Sequence, residues 1–125
     1  MKTRRQQRIK AMEILYTMDL QENQSYEPIN NAFIDEIVRG VLKHQAILDE
    51  LIQNNLLKYT LKRLSYVDRA IIRIATYEMY ASKTPVEIII NEALEITREY
   101  SDEGNEKMVG FTNSVLDKIK QALNR

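Results

Sequence analysis

Residues Ser65–Ala81 read SYVDRAIIRIATYEMYA, and their spacing decides the fold class. Val67, Ala70, Ile71, Ile74, Tyr77 and Ala81 recur at intervals of three and four, the period of one face of an α-helix and not the period of two of a strand. Ser65 followed by Asp68 is the signature of a capping box, so the helix is expected to open there. Arg69, Arg73 and Tyr80 share the opposite side of the wheel and are expected to face solvent or a partner. Glu78 falls inside the apolar arc, near Ile71 and Ile74. A carboxylate in that position needs a partner, and a structural ion pair or a cap on a neighbouring helix is the expectation.

The same period continues in both directions. Downstream, Thr84 suits an N-cap, Pro85 a first helical position and Glu87 the third, which predicts a helix burying Val86, Ile89, Ile90, Ala93, Leu94 and Ile96. The stretch Ser101 to Gly104 ends it, and a last helix carries Val115, Leu116, Ile119 and Leu123. Upstream, Phe33, Ile37, Val41, Leu48, Leu51 and Ile52 predict two helices after Pro28, with a break between Gly40 and His44. A first helix starts near Thr3, with Gln6 completing a capping box, and carries Ile9, Met12, Leu15, Tyr16 and Leu20 until the polar stretch Gln21 to Ser25. Three glycines and two prolines leave few breaks. The fold class is all-α with about six or seven helices, and no repeat or linker divides residues 1–125, so one domain is expected.

Composition excludes several classes. The 125 residues include no cysteine, so disulfides and thiolate-ligated metals are ruled out. No run approaches the length of a membrane span and the start MKTRRQQRIKAMEIL lacks the apolar core of a signal peptide, so a cytoplasmic protein with no membrane partner is expected. There is one histidine, His44, at a helix boundary, where a structural role is the ordinary one, and no glycine-rich phosphate loop. Glu92 and Glu95 sit on a polar helix face and read as solvated surface. No catalytic residue, metal site or cofactor is indicated, and an enzyme is not expected.

Charge is balanced in sum, with 18 Lys and Arg against 18 Asp and Glu, but not in distribution. Lys2, Arg4, Arg5, Arg8 and Lys10 fall in the first ten residues, whereas Glu99, Asp102, Glu103 and Glu106 gather near the other end. On the wheel Arg4, Arg5 and Arg8 continue the stripe of Met12, Leu15 and Tyr16. Guanidinium groups are not buried without partners, so the helix is expected to project past the core, or the segment to form an unfolded arm. Either way the arginines would point together at a neighbouring ligand, and their planar forks suit phosphates and can stack on bases. A solvated basic tail is the plainer alternative. Phe111, at the edge of the last helix's apolar stripe, is expected in the core or, partly exposed, against an unpaired base.

Four segments in order, RRQQRIKAMEILYTMDL from Arg4, VDRAIIRIATYEM from Val67, INEALEITREYSDE from Ile90 and FTNSVLDK from Phe111, resemble the NusB family of transcription antitermination factors along nearly the whole chain. The resemblance implies two small helical sub-bundles packed together and binding of single-stranded boxA RNA in nascent ribosomal RNA transcripts. It also implies a partner, the small-subunit ribosomal protein also called NusE, with other Nus factors and RNA polymerase in a larger complex, and no cofactor. The family's arginine-rich RNA-binding motif matches Arg4, Arg5 and Arg8 with the flanking Lys2 and Lys10. Its RNA-contacting aromatic matches Phe111, and a tyrosine and an acidic residue of its NusE interface match Tyr16 and Asp68, although both also have structural uses here. Glu78 matches the family's Tyr-Glu pair. This chain departs from the pattern in having Ser114 where the family usually has glycine and a longer loop before Phe111, which leaves Met108 as an alternative occupant of the aromatic's place.

Two other readings follow from the same resemblance. NusB-like domains begin certain ribosomal RNA cytosine methyltransferases, which would make the chain an accessory module. It would otherwise be an interaction scaffold whose basic segment is masked in a homodimer.

Overall fold

The computed structural model describes residues 2–125 and contains six α-helices: α1 (Arg4–Leu20), α2 (Ala32–Lys43), α3 (Gln45–Asn54), α4 (Tyr66–Ala81), α5 (Val86–Tyr100) and α6 (Lys107–Ala122). A 3₁₀ turn at Leu61–Arg63 precedes α4, and no strand occurs among the described residues. The all-α expectation and the helix number hold.

The caps explain where the helices begin. Thr3 Oγ1 accepts the Gln6 N–H at 3.1 Å and Gln6 Oε1 accepts the Thr3 N–H at 2.8 Å, so the box on α1 is complete and the helix is formed from Arg4 onward. At α4, Ser65 Oγ accepts the Asp68 N–H at 3.1 Å but donates its own proton to the Asp68 carboxylate at 2.8 Å, closing the pair on itself rather than on the cap N–H. The start of α5 differs from expectation by one residue. Pro85 takes the cap position with ψ 136°, outside the helix, and Thr84 makes no side-chain cap. The Pro85 carbonyl accepts from Ile88 and Ile89, and an X-Pro step that favours extended backbone at Thr84 accounts for the offset.

The break between α2 and α3 falls at His44, and Gly40 lies inside α2. Gly40 is there for space and not for a turn, since a Cβ on it would sit 2.1 Å from the Tyr77 ring. Tyr77 is fixed in that slot by donating its hydroxyl to Glu36 at 2.6 Å, and burial together with that bond pushes its pKa well above the ordinary phenol value. His44 packs beside Tyr77 and Tyr80, which agrees with a structural role.

α4 is the axis of the molecule. Every residue from Ala70 to Met79 is buried, and each of the other five helices packs against it. The halves α1–α3 and α4–α6 therefore share one continuous apolar cluster. A helix enclosed on all sides has no polar face, which corrects the expectation for Arg69 and Arg73. Arg73 is 8% exposed, with Nε and Nη2 donating to Asp49 at 2.8 and 2.9 Å and Nη1 to Asp19 at 3.2 Å. Arg69 lies 3.3 Å from Asp19 and over the Tyr66 ring at 4.2 Å. Charged side chains can occupy a buried helix only when paired, and here the carboxylates come from α1 and α3.

Candidate nucleic-acid interface

α1 runs antiparallel to α4: Arg8 meets Glu78 near one end, and Asp19 meets Arg69 and Arg73 toward the other. The N-terminal basic segment thus lies at the C-terminal end of α4. Lys2, Arg4 and Arg5 are exposed and Lys10 is half-buried, so the first turn of α1 presents cations to solvent on an ordered helix. The expectation that the three arginines point together past the bundle does not hold. Arg4 lies across the Phe33 ring, with Cζ 4.2 Å from its centroid, and donates to Gln7 at 3.1 Å. Arg5 is bound bidentately by Glu92, with its shortest contact at 2.6 Å, while its side chain stays 46% exposed. Hydrogen bonding and attraction from Glu92 raise its pKa further above the ordinary value.

Arg8 is inside. Its side chain is 6% exposed and Glu78 is 4% exposed; Nε and Nη2 donate to the two carboxylate oxygens at 2.9 and 2.8 Å. Burial works against the Arg8 charge, but the bonds to Glu78 and its attraction outweigh it and hold the pKa above its ordinary value. The pair roofs a small cavity lined by apolar side chains such as Met12, Ile74 and Ile89. It supplies the partner that Glu78 required, and the fork-on-fork geometry is the one a buried pair needs. Phe33, from the start of α2, is held between Arg4 and Arg8. Phe33 reads from sequence as a core residue and Glu92 as solvated surface; no local signal tells that they organise the arginines.

Phe111 sits at the other end. α5 returns along α4 so that Ser101 reaches Asp68, with Ser101 Oγ 2.5 Å from the carboxylate. α6 then starts beside the N-terminal end of α4 and finishes near its C-terminal end, where Arg125 donates to Ser82 and Thr84 carbonyls. The 16 residues of α4 span about 24 Å at 1.5 Å per residue, so Phe111 and the arginines are a helix length apart and do not form one cluster. The loop that delivers Phe111 is organised by Asp102, whose carboxylate accepts the N–H groups of Gly104, Glu106 and Met108 at 2.9 to 3.1 Å. Burial raises its pKa, but those bonds prevail and hold it below the ordinary value. Gly104 and Glu106 adopt φ of 88° and 61° in this wrap.

Phe111 is partly buried and meets Tyr59 edge-to-face at 5.6 Å between centroids. Met108 occupies the first turn of α6, half-buried, with its N–H on Asp102. Tyr16 is half-buried and stands edge-to-face with Tyr66 at 6.3 Å. Asp68 is 6% exposed and fully engaged by Ser65 and Ser101. The fold brings Tyr16 and Asp68 to the same end of α4, where Tyr16 meets Tyr66, two residues before Asp68. Among the described residues no group of three or more His, Cys, Asp or Glu is arranged to hold a metal ion, and no helix is long and apolar enough to cross a membrane.

The fold is a helical bundle wound about one buried axis, with exposed cations on the first turn of its first helix, and comparisons with known proteins place it further. The model of the NusB family matches residues 5–121. The transcription antitermination protein NusB of Geobacillus kaustophilus (strain HTA426) is 39% identical over 131 residues, covering 98% of each chain. The solved structure of T. maritima NusB superposes with a TM-score of 0.83 at 31% identity, over 97% of this chain and 93% of that one. A structure of the antitermination factors NusB and NusE in complex with dsRNA matches with a TM-score of 0.78 at 22% identity, over 95% of this chain and 96% of that one. The chain belongs to the NusB family of transcription antitermination factors.

Proposed function

We propose that the chain acts in the cytoplasm as one RNA-binding module that recognises single-stranded boxA RNA of nascent ribosomal RNA transcripts together with NusE, and that this pair joins other Nus factors on RNA polymerase. The observation that carries the reading is the set of cations along the ordered start of α1 and just before its Thr3 cap. Lys2, Arg4 and Lys10 have no carboxylate within ion-pair distance among the described residues, and Arg5 is a half-exposed fork that can exchange Glu92 for a phosphate. The family membership, and the solved structure of NusB and NusE in complex with dsRNA whose fold this chain shares, support a nucleic-acid ligand and NusE as partners. Tyr16 and the Asp68 region supply the NusE-facing surface, Tyr16 through its exposed edge and Asp68 by holding the α4 start in place.

Phosphate contacts give affinity and salt dependence, while base contacts give sequence preference. Three free cations on a single strand predict a slope of log affinity against log salt of about −2, and release of Arg5 from Glu92 makes it about −3. Titration of a boxA-containing RNA over a salt series, with and without NusE, tests this. Tighter binding with NusE and a slope in that range are expected. Binding that ignores salt and is unchanged by NusE sinks the proposal.

A further inference from the structure

Two carboxylates reach the arginines of α1, one from α4 and one from α5, and they are held differently. Glu78 meets Arg8 out of solvent, through Nε and Nη2. Glu92, on α5, meets Arg5 at the surface: both its oxygens accept from Nε at 3.2 Å, and Oε2 also accepts from Nη2 at 2.6 Å. The Arg5 side chain is 46% exposed and that of Glu92 17%, so solvent reaches the fork more readily than the carboxylate. Arg8 Nη1, which Glu78 does not take, stands 4.0 Å from Glu92 Oε1. Glu92 thus sits between two guanidinium groups, bonded to one and a short movement from the other. Of the acids further along α5, Glu95 is paired with Arg98, and Glu99 acts on Arg5 only by a weaker attraction at longer range.

We infer that Glu92 is a built-in competitor for the RNA phosphate at Arg5, displaced when the strand binds and then received by Arg8, a role that deepens the RNA-binding reading and rests on it. A carboxylate and a phosphate each offer two oxygens to the same pair of guanidinium N–H groups, so one excludes the other. An exposed pair contributes little free energy because water and salt screen it, and a phosphate can replace it. The buried Glu78 cannot be replaced in this way, since its departure would strand the Arg8 charge. A phosphate on Arg5 also repels Glu92, and a second cation within reach keeps the cost of displacement small. Closing the 4.0 Å gap to the usual ~2.8 Å of a charge-assisted bond seats Glu92 on Arg8 Nη1. Arg8 then serves RNA binding as a positioning residue, without touching RNA.

The test titrates the full chain with a boxA-containing RNA over a salt series. Glu92→Gln should tighten binding about fourfold, near the upper range of an exposed ion pair. Its salt slope should match the parent's, because the same phosphates are neutralised once Arg5 is released. In an Arg5→Gln background the gain should vanish. Glu99→Gln removes an equal charge from the same helix and should stay within about 1.5-fold, since solvent screens a charge that makes no contact with Arg5. Glutamine keeps the shape of glutamate, and an unchanged thermal melt excludes a lost fold as the cause. In the parent, the Arg8 guanidinium N–H resonances should move when RNA binds, and in Glu92→Gln they should not. A Glu92→Gln protein that binds no tighter, or whose gain survives Arg5→Gln or is matched by Glu99→Gln, overturns the inference and leaves the N-terminal RNA reading standing. A slope larger in magnitude by about 0.7 in Glu92→Gln means that Glu92 never leaves Arg5 in the parent, and it also overturns the inference. Arg8 resonances that stay still in the bound parent, or move alike in both proteins, overturn the transfer to Arg8. If neither the parent nor Glu92→Gln binds the RNA, both readings fall.

Discussion

The two cationic ends of the bundle reach their charge by opposite routes. The N-terminal end is conspicuous in sequence, with five bases in ten residues, yet the fold withdraws much of that charge. Glu78 takes Arg8 inside and Glu92 clamps Arg5 at the surface. The Tyr59 end, where the α3–α4 connection meets α6, gives no comparable signal in sequence, yet Lys58, Lys62, Arg63 and Lys118 have no carboxylate within ion-pair distance among the described residues. Linear charge density therefore does not measure available charge, because a carboxylate seventy residues away can cancel it.

The strongest way to break this comparison is at Arg8. If Arg8 is an anchor for α1 and not a phosphate ligand, Arg8→Ala strands a buried Glu78 and costs about 3–5 kcal/mol, read as a lower midpoint in denaturant. Replacing both partners, Arg8→Met with Glu78→Leu, should restore most of that stability, since an apolar pair of similar size avoids the desolvation penalty. The double variant should then bind RNA with an unchanged salt slope. A slope smaller in magnitude by about 0.7 would instead make Arg8 a phosphate contact that leaves its pocket on binding.

A smaller effect is expected from Gly40→Ala. The added methyl has no room beside the Tyr77 ring, and overpacking of this kind costs about 1–3 kcal/mol. It should leave both cationic ends intact, so stability falls while RNA binding per folded molecule does not. Asp102→Ala should cost about 1 kcal/mol by removing an acceptor shared by three backbone N–H groups, with faster hydrogen exchange at Gly104, Glu106 and Met108. Since that loop seats Phe111, the change loosens the Tyr59 end and spares the N-terminal one.

The smallest predicted effect is on acid stability. The Tyr26 hydroxyl, then the Ile29 N–H, hold the Asp35 carboxyl below its ordinary value of 3.8, and backbone bonds do the same for Asp102. A carboxyl whose folded pKa is depressed stabilises the fold fully above its unfolded value, and that contribution disappears as pH falls through the folded value. Denaturant midpoints should thus be flat near neutrality and drop below about pH 4, with Asp35→Asn and Asp102→Asn each flattening the acid limb. At the other extreme Tyr26, pushed up to about 12 mainly by burial and then by its bond to Asp35, contributes below the ordinary phenol pKa and loses that contribution as pH rises toward its folded value.

The sequence by itself determined the helical class, the six segments and their starts at Thr3 and Ser65, because capping and the three-to-four apolar period are local properties. It also carried the family match, and it located Glu78 as a carboxylate in need of a partner. It missed by one residue at Pro85, where the start depends on how the preceding turn is held. What only the tertiary structure decided is which charges are used up. α4 reads as two-sided in isolation but is enclosed by five helices, so Arg73 is buried and Arg8 turns inward to Glu78. Tyr59 and Phe111 become neighbours only when α6 packs beside the α3–α4 connection. Ion pairing and aromatic contact act between groups close in space, and a one-dimensional period carries no record of distances across the bundle.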